Sequence, residues 1–125
     1  MEIKNAIITK TELTMSDHGC LTFWLFVEGD GFCVGIGGFC IGFGYLDSKE
    51  FKADSGMGLV ALMRILDVVG VEKWEDLKGK YIRVMLENWG DPVYCIGNLI
   101  KNKWFDLKEF FEQNKINIKK EKCND

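Results

Sequence analysis

Five glycines, Gly35, Gly37, Gly38, Gly42 and Gly44, interrupt the otherwise apolar run from Phe32 to Tyr45, and no other feature constrains the fold as tightly. An apolar run between turn residues reads as a buried strand. Glycine inside it gives no side chain to pack and marks bulges, sharp coiling or the close approach of another segment. The sheet that holds this run must therefore bend. Phosphate-binding glycine motifs fail on spacing. Gly37 and Gly42 stand as in a P-loop, but Phe43-Gly44 follows where Lys and Ser or Thr are needed, and Cys40 stands where a dinucleotide fingerprint beginning at Gly35 and Gly37 requires glycine.

The flanking segments supply the rest of the sheet. Glu2 to Ser16 alternates, which assigns Ile3, Ile7, Leu13 and Met15 to a buried face and Glu2, Lys4, Lys10, Glu12 and Thr14 to solvent. Asp17-His18-Gly19 turns the chain into a second strand, Leu21 to Glu28, both of whose faces are largely apolar, and Gly29-Asp30-Gly31 turns it into the third. Asp47 to Asp54 reads as a surface loop. Ser55 is placed to cap a helix that runs to Val69 and ends at Gly70. Arg64 and Asp67, its only charged residues, are spaced to pair, and a helix so apolar needs cover on more than one side. Lys73 to Leu77 forms a helical turn, Tyr81 to Glu87 a fourth strand ended by Gly90-Asp91-Pro92, and Val93 to Ile100 a fifth. Asp106 and Glu109 form a capping box for a last helix, which Phe105, Phe110 and Phe111 dock.

This order predicts one α+β domain over 1–113: a five-stranded, strongly coiled antiparallel sheet or OB-like barrel, with one helix between strands 3 and 4 and a C-terminal helix. A charged, flexible tail is expected over 114–125.

A formal charge of −3 argues against a broad basic face that grips nucleic acid. The chain shows no leader-like pattern and no apolar run of membrane-span length, so a cytoplasmic location without membrane contact is expected. Cys20, Cys33, Cys40, Cys95 and Cys123 form no CxxC pair, and His18 is the single histidine, so no metal site is expected and the thiols read as small core residues. His18 and Cys20 lack an orienting acid, and Glu72, Glu75, Asp76 and Glu87 match no acid–base or metal spacing. Neither catalytic residues nor a cofactor are expected. The surplus lies in aromatics: Trp24, Phe39, Phe43, Tyr45, Trp74, Tyr81, Trp89, Tyr94 and Trp104 exceed what one small core must bury. Arg64, Arg83, Tyr81, Trp89 and Phe43 are the candidate ligand contacts.

Three segments carry a resemblance. Met63-Arg64-Ile65-Leu66-Asp67-Val68-Val69-Gly70-Val71, Trp74-Glu75-Asp76-Leu77-Lys78-Gly79-Lys80-Tyr81-Ile82-Arg83-Val84 and Gly97-Asn98-Leu99-Ile100-Lys101-Asn102-Lys103-Trp104-Phe105-Asp106 resemble small proteins of bacteriophages and prophages. The likeness runs from Ile3 to Phe111, and the Cys-rich third strand departs from the common pattern. It implies a non-enzymatic counter-defence factor, of the anti-CRISPR or nucleotide-sponge type, acting in the host cytoplasm. Such a factor occludes a host defence protein or sequesters a small nucleotide signal, and a homo-oligomer is expected. The alternative is an OB-like single-stranded nucleic-acid binder of phage replication, which the acidic charge disfavours.

Overall fold

The computed structural model describes residues 1–44, 50–88 and 90–114; Tyr45, Trp89 and the expected tail beyond Asn114 lie outside the described residues. Seven strands form one open sheet: β1 (Glu2–Asp17), β2 (Cys20–Gly29), β3 (Phe32–Gly44), β4 (Phe51–Ala53), β5 (Tyr81–Leu86), β6 (Cys95–Gly97) and β7 (Trp104–Asp106). Their spatial order is β4-β3-β2-β1-β5-β6-β7, with neighbours antiparallel. The mixed α+β class and the antiparallel sheet agree with the expectation; the five-stranded count and the closed barrel do not. Phe51–Ala53, expected in a loop, pairs with Gly42–Gly44. The expected fifth strand stops at Gly97, because the Asn98 side chain accepts the N–H groups of Ile100 and Lys101 at 3.0 and 2.8 Å and folds the chain back as β7. Helix α1 (Met57–Val69) thus follows β4, and α2 (Leu107–Gln113) follows β7.

Glycine chemistry shapes the sheet at two points. His18 and Gly19 both take positive φ, 51° and 83°, which closes the β1–β2 hairpin in the tight turn that matches strand twist. In β3, Gly37 and Gly38 sit at φ 132° and 82°, and the register slips from Trp24 opposite Gly37 to Thr22 opposite Cys40. A Cβ at Gly37 would run into the Phe23 carbonyl oxygen. The slip throws Phe39 inward, where its ring stacks on Phe111 at 4.3 Å and meets Tyr94 at 5.8 Å.

The core fills one face of the sheet. Ala6, Ile8, Leu25, Val27, Ile36, Ile82, Val84, Ile96 and Phe105 pack with Ala61, Ile65 and Val68 of α1 and with Leu107, Phe110 and Phe111 of α2. This corrects the reading of the first strand. Ala6 and Ile8 are 2% and 0% exposed, whereas Ile3 is 53% exposed and Ile7 stands on the opposite face. A bulge between Ile8 and Lys10 shifts the phase of β1, so no single alternation holds along its 16 residues.

Capping differs in detail too. Asp54, rather than Ser55, accepts the N–H groups of Gly56 and Gly58, each at 2.8 Å. Gly70 closes α1 as expected, at φ 91° with its N–H on the Leu66 carbonyl. Arg64 and Asp67 do not pair: Asp67 meets Lys103 Nζ at 3.1 Å, and the Arg64 guanidinium lies 4.2 Å from the centre of the Phe105 ring. Among the described residues nothing covers the second side of α1, where Leu59 and Met63 are exposed. At α2, Asp106 accepts the Glu109 N–H at 3.0 Å, while the Glu109 carboxylate turns to Gln113 instead of completing the box. Among the described residues no helix is long and apolar enough to cross a membrane.

Candidate functional site

With both helices on the inner face, no element among the described residues lies on the outer face of β2, β1 and β5. Ile3, Ile7, Trp24, Phe26, Tyr81 and Met85 stand there, outside the packed core. Cross-strand pairing sets their order: Ile3 faces Met85, Asn5 faces Arg83, and Ile7 faces Tyr81 and Glu28. Lys10 stands opposite Phe26, with its ammonium 5.4 Å from the ring centre, and pairs with Glu12 at 2.9 Å.

Aromatic platforms flank this strip. On one side the Trp24 and Phe26 rings stack 6.0 Å apart. They lie over glycines of β3: a Cβ at Gly35 would come within 3.2 Å of Trp24 and 3.3 Å of Phe26, and one at Gly38 within 2.6 Å of Trp24. The strand glycines therefore give the indole room to lie flat. On the other side Trp104 covers Gly97, where a Cβ would stand 2.5 Å from the indole, and the Arg83 guanidinium lies 4.6 Å from its ring centre. Arg83 is also tied to the backbone, donating from Nε to the Asn98 carbonyl at 2.7 Å and from Nη2 to the Lys101 carbonyl at 3.0 Å.

The five candidate contacts do not converge. Tyr81, 59% exposed, and Arg83 share the outer face. Arg64 sits on the helix side over Phe105 and Phe110. Phe43 is buried beside Cys20, and Trp89 lies outside the described residues. Sequence reasoning missed Phe26, Ile3 and Ile7 as surface groups. Their signal was present in a second strand apolar on both faces.

A separate cleft of about 390 Å³ opens at the start of β3, between Phe32, Cys33 and Val34 and the connection after β5. Glu2, Glu87 and Asp91 line it, with no lysine or arginine among the described lining residues.

His18 is exposed on its turn, and Cys20 is 1% exposed. Burial pushes the Cys95 thiol up to about 11, helped by the negative charges of Asp106, Glu87 and Glu109, so it is a thiol rather than a thiolate at neutral pH. Cys33 is exposed, against the expectation that the thiols are core residues. Among the described residues no group of three His, Cys, Asp or Glu is placed to hold a metal ion. No protein-family model, curated protein or solved structure matches this chain.

Proposed function

We propose that this chain is a non-catalytic binding protein that covers a surface of a partner protein with the outer face of its sheet. The observation that carries this reading is the pair of apolar patches, Ile3 with Met85 and Ile7 with Tyr81, that flank Asn5 and Arg83 between the two aromatic platforms and that no element among the described residues covers. Apolar and aromatic side chains left at a sheet surface mark interaction sites, and Tyr and Trp are the side chains that most often anchor them. The resemblance to phage proteins supplies the biological setting: a counter-defence factor that occludes a host immune protein. Sequestration of a nucleotide signal has less support, because the cleft presents three carboxylates, Glu2, Glu87 and Asp91, which repel phosphate.

One observation favours a second reading. Flat aromatic rings on an open sheet, with Arg83 and Lys10 beside them, have the makings of a base-stacking platform. Glu12 and Glu28 on the same face and the net charge of −3 oppose it.

The test uses a bacterial strain whose immune system restricts a test phage. Expression of the chain is expected to restore plaques, and Ile7→Glu with Tyr81→Glu to abolish restoration while the melting temperature holds. Restoration by the double variant would remove the outer face from the account. Oligonucleotide binding that weakens steeply with salt would move the case to the second reading.

A further inference from the structure

The stretch Phe32–Ile36 of β3 runs along an edge that no strand among the described residues pairs. β4 pairs only with Gly42–Gly44, and the bend at Gly37 and Gly38 separates the two stretches. Hydrogen-bonded and non-bonded pairs alternate along an antiparallel hairpin. Gly29 and Phe32 close the turn, so Cys33 and Gly35, opposite Glu28 and Phe26, aim their N–H and C=O groups away from β2. Both residues are exposed, and on that side neither meets a backbone partner among the described residues. Edges are ordinarily blunted by lysine, proline or inward-pointing charge, and Phe32-Cys33-Val34-Gly35-Ile36 contains none of these.

The cleft lies against this edge and combines apolar Phe32, Val34, Leu86 and Val93 with the carboxylates of Glu2, Glu87 and Asp91. In a strand added along the edge, alternate side chains would point into the cleft. An aliphatic stem ending in a positive charge satisfies both parts of that lining. We propose that β3 and the cleft capture an extended, lysine- or arginine-bearing segment of a protein partner as an added strand. This rests on the reading of the chain as a protein-binding module and adds a contact separate from the outer face. Backbone hydrogen bonds to Cys33 and Gly35 hold the segment, and the carboxylates select its charge.

The experiment titrates the full chain with a short blocked peptide of alternating lysine and threonine. Binding is expected, with slowed deuterium exchange at the Cys33 and Gly35 amides. Methylating alternate peptide amides is expected to weaken binding about tenfold or more in one of the two phases, because a strand bonds its neighbour through every second residue. Replacing lysine by glutamate in the peptide, or Glu87→Lys with Asp91→Lys in the protein, is expected to cost about tenfold as well. No binding, unchanged exchange at Cys33 and Gly35, indifference to methylation in both phases, or equal affinity for the glutamate peptide would each overturn the proposal. Ile7→Glu with Tyr81→Glu is expected to leave peptide binding intact. Failure of the unaltered chain to bind the peptide therefore sinks this inference alone, whereas plaque restoration that persists in the Ile7→Glu, Tyr81→Glu variant sinks the reading beneath it.

Discussion

Two adjacent isoleucines divide the inner from the outer face, and truncating each gives opposite expectations. Ile8 is 0% exposed, pairs with Val27 and belongs to the core that α1 and α2 cover. Ile8→Ala removes three buried carbons and leaves a hole in close-packed surroundings, for a loss of about 2–4 kcal/mol. Its backbone bonds to Gly79 and Lys80 survive the change. Ile7 points to the uncovered face beside Tyr81, so Ile7→Ala is expected to cost less than about 1 kcal/mol. For a chain of this size about 4 °C of melting temperature accompanies each kcal/mol, so the two variants should separate by roughly 5–15 °C. Urea denaturation followed by circular dichroism measures the difference, with equal m-values confirming that stability alone has changed. An Ile7→Ala loss equal to or greater than that of Ile8→Ala would mean that the Ile3–Ile7 phase is the buried one, and the outer-face account would fall with it.

Asn98 joins β6, the following turn and the end of α1: its Nδ2 donates to the Val68 carbonyl at 2.8 Å while Oδ1 holds the turn. Asn98→Ala should cost about 2 kcal/mol, and a loss under about 0.5 kcal/mol in the same denaturation assay would contradict that role. The Cys95 thiol is lifted from its ordinary 9.0 to about 11, chiefly by burial. Its neutral form is the one the fold favours, so this contribution to stability is complete below pH 9 and is lost as pH rises through 11. Alkylation of Cys95 in the native protein should accordingly climb about tenfold per pH unit through this window; a plateau already reached at pH 8 would contradict the assignment.

Local chemistry made much of the fold legible. Asp17-His18-Gly19 announced its hairpin, Gly70 its helix end and Asp106 its cap, because each acts through its own neighbours. The glycines of β3 announced a bend, and Gly37 and Gly38 deliver it. What stayed hidden depends on contacts between distant segments. Nothing local marks Phe51–Ala53 as a strand, since its partner is the end of β3. Asp54 and Ser55 are both able caps, and the left-handed turn at Gly56 selects Asp54. The bulge beyond Ile8 changes the phase of β1 part-way along, so a single alternation that sets Leu13 opposite core Phe23 wrongly assigns Ile3 and Ile7 to the same face. At the site, the aromatic surplus was visible, but which ring covers which glycine was not: Trp104 meets Gly97 only once β6 and β7 pair. Arg83 read as a free ligand contact because its carbonyl partners, Asn98 and Lys101, come from a turn 15 and 18 residues away.

The central claim is that the outer face of the sheet touches the partner. Site-specific photocrosslinking in cells that show plaque restoration tests it directly, with p-benzoylphenylalanine in place of Tyr81 and, separately, in place of the exposed Glu72 on the connection after α1. A single crosslinked protein from the Tyr81 position, absent from the Glu72 position and lost when Ile7→Glu is added, is the predicted result. Crosslinking from Glu72 with none from Tyr81 would contradict it.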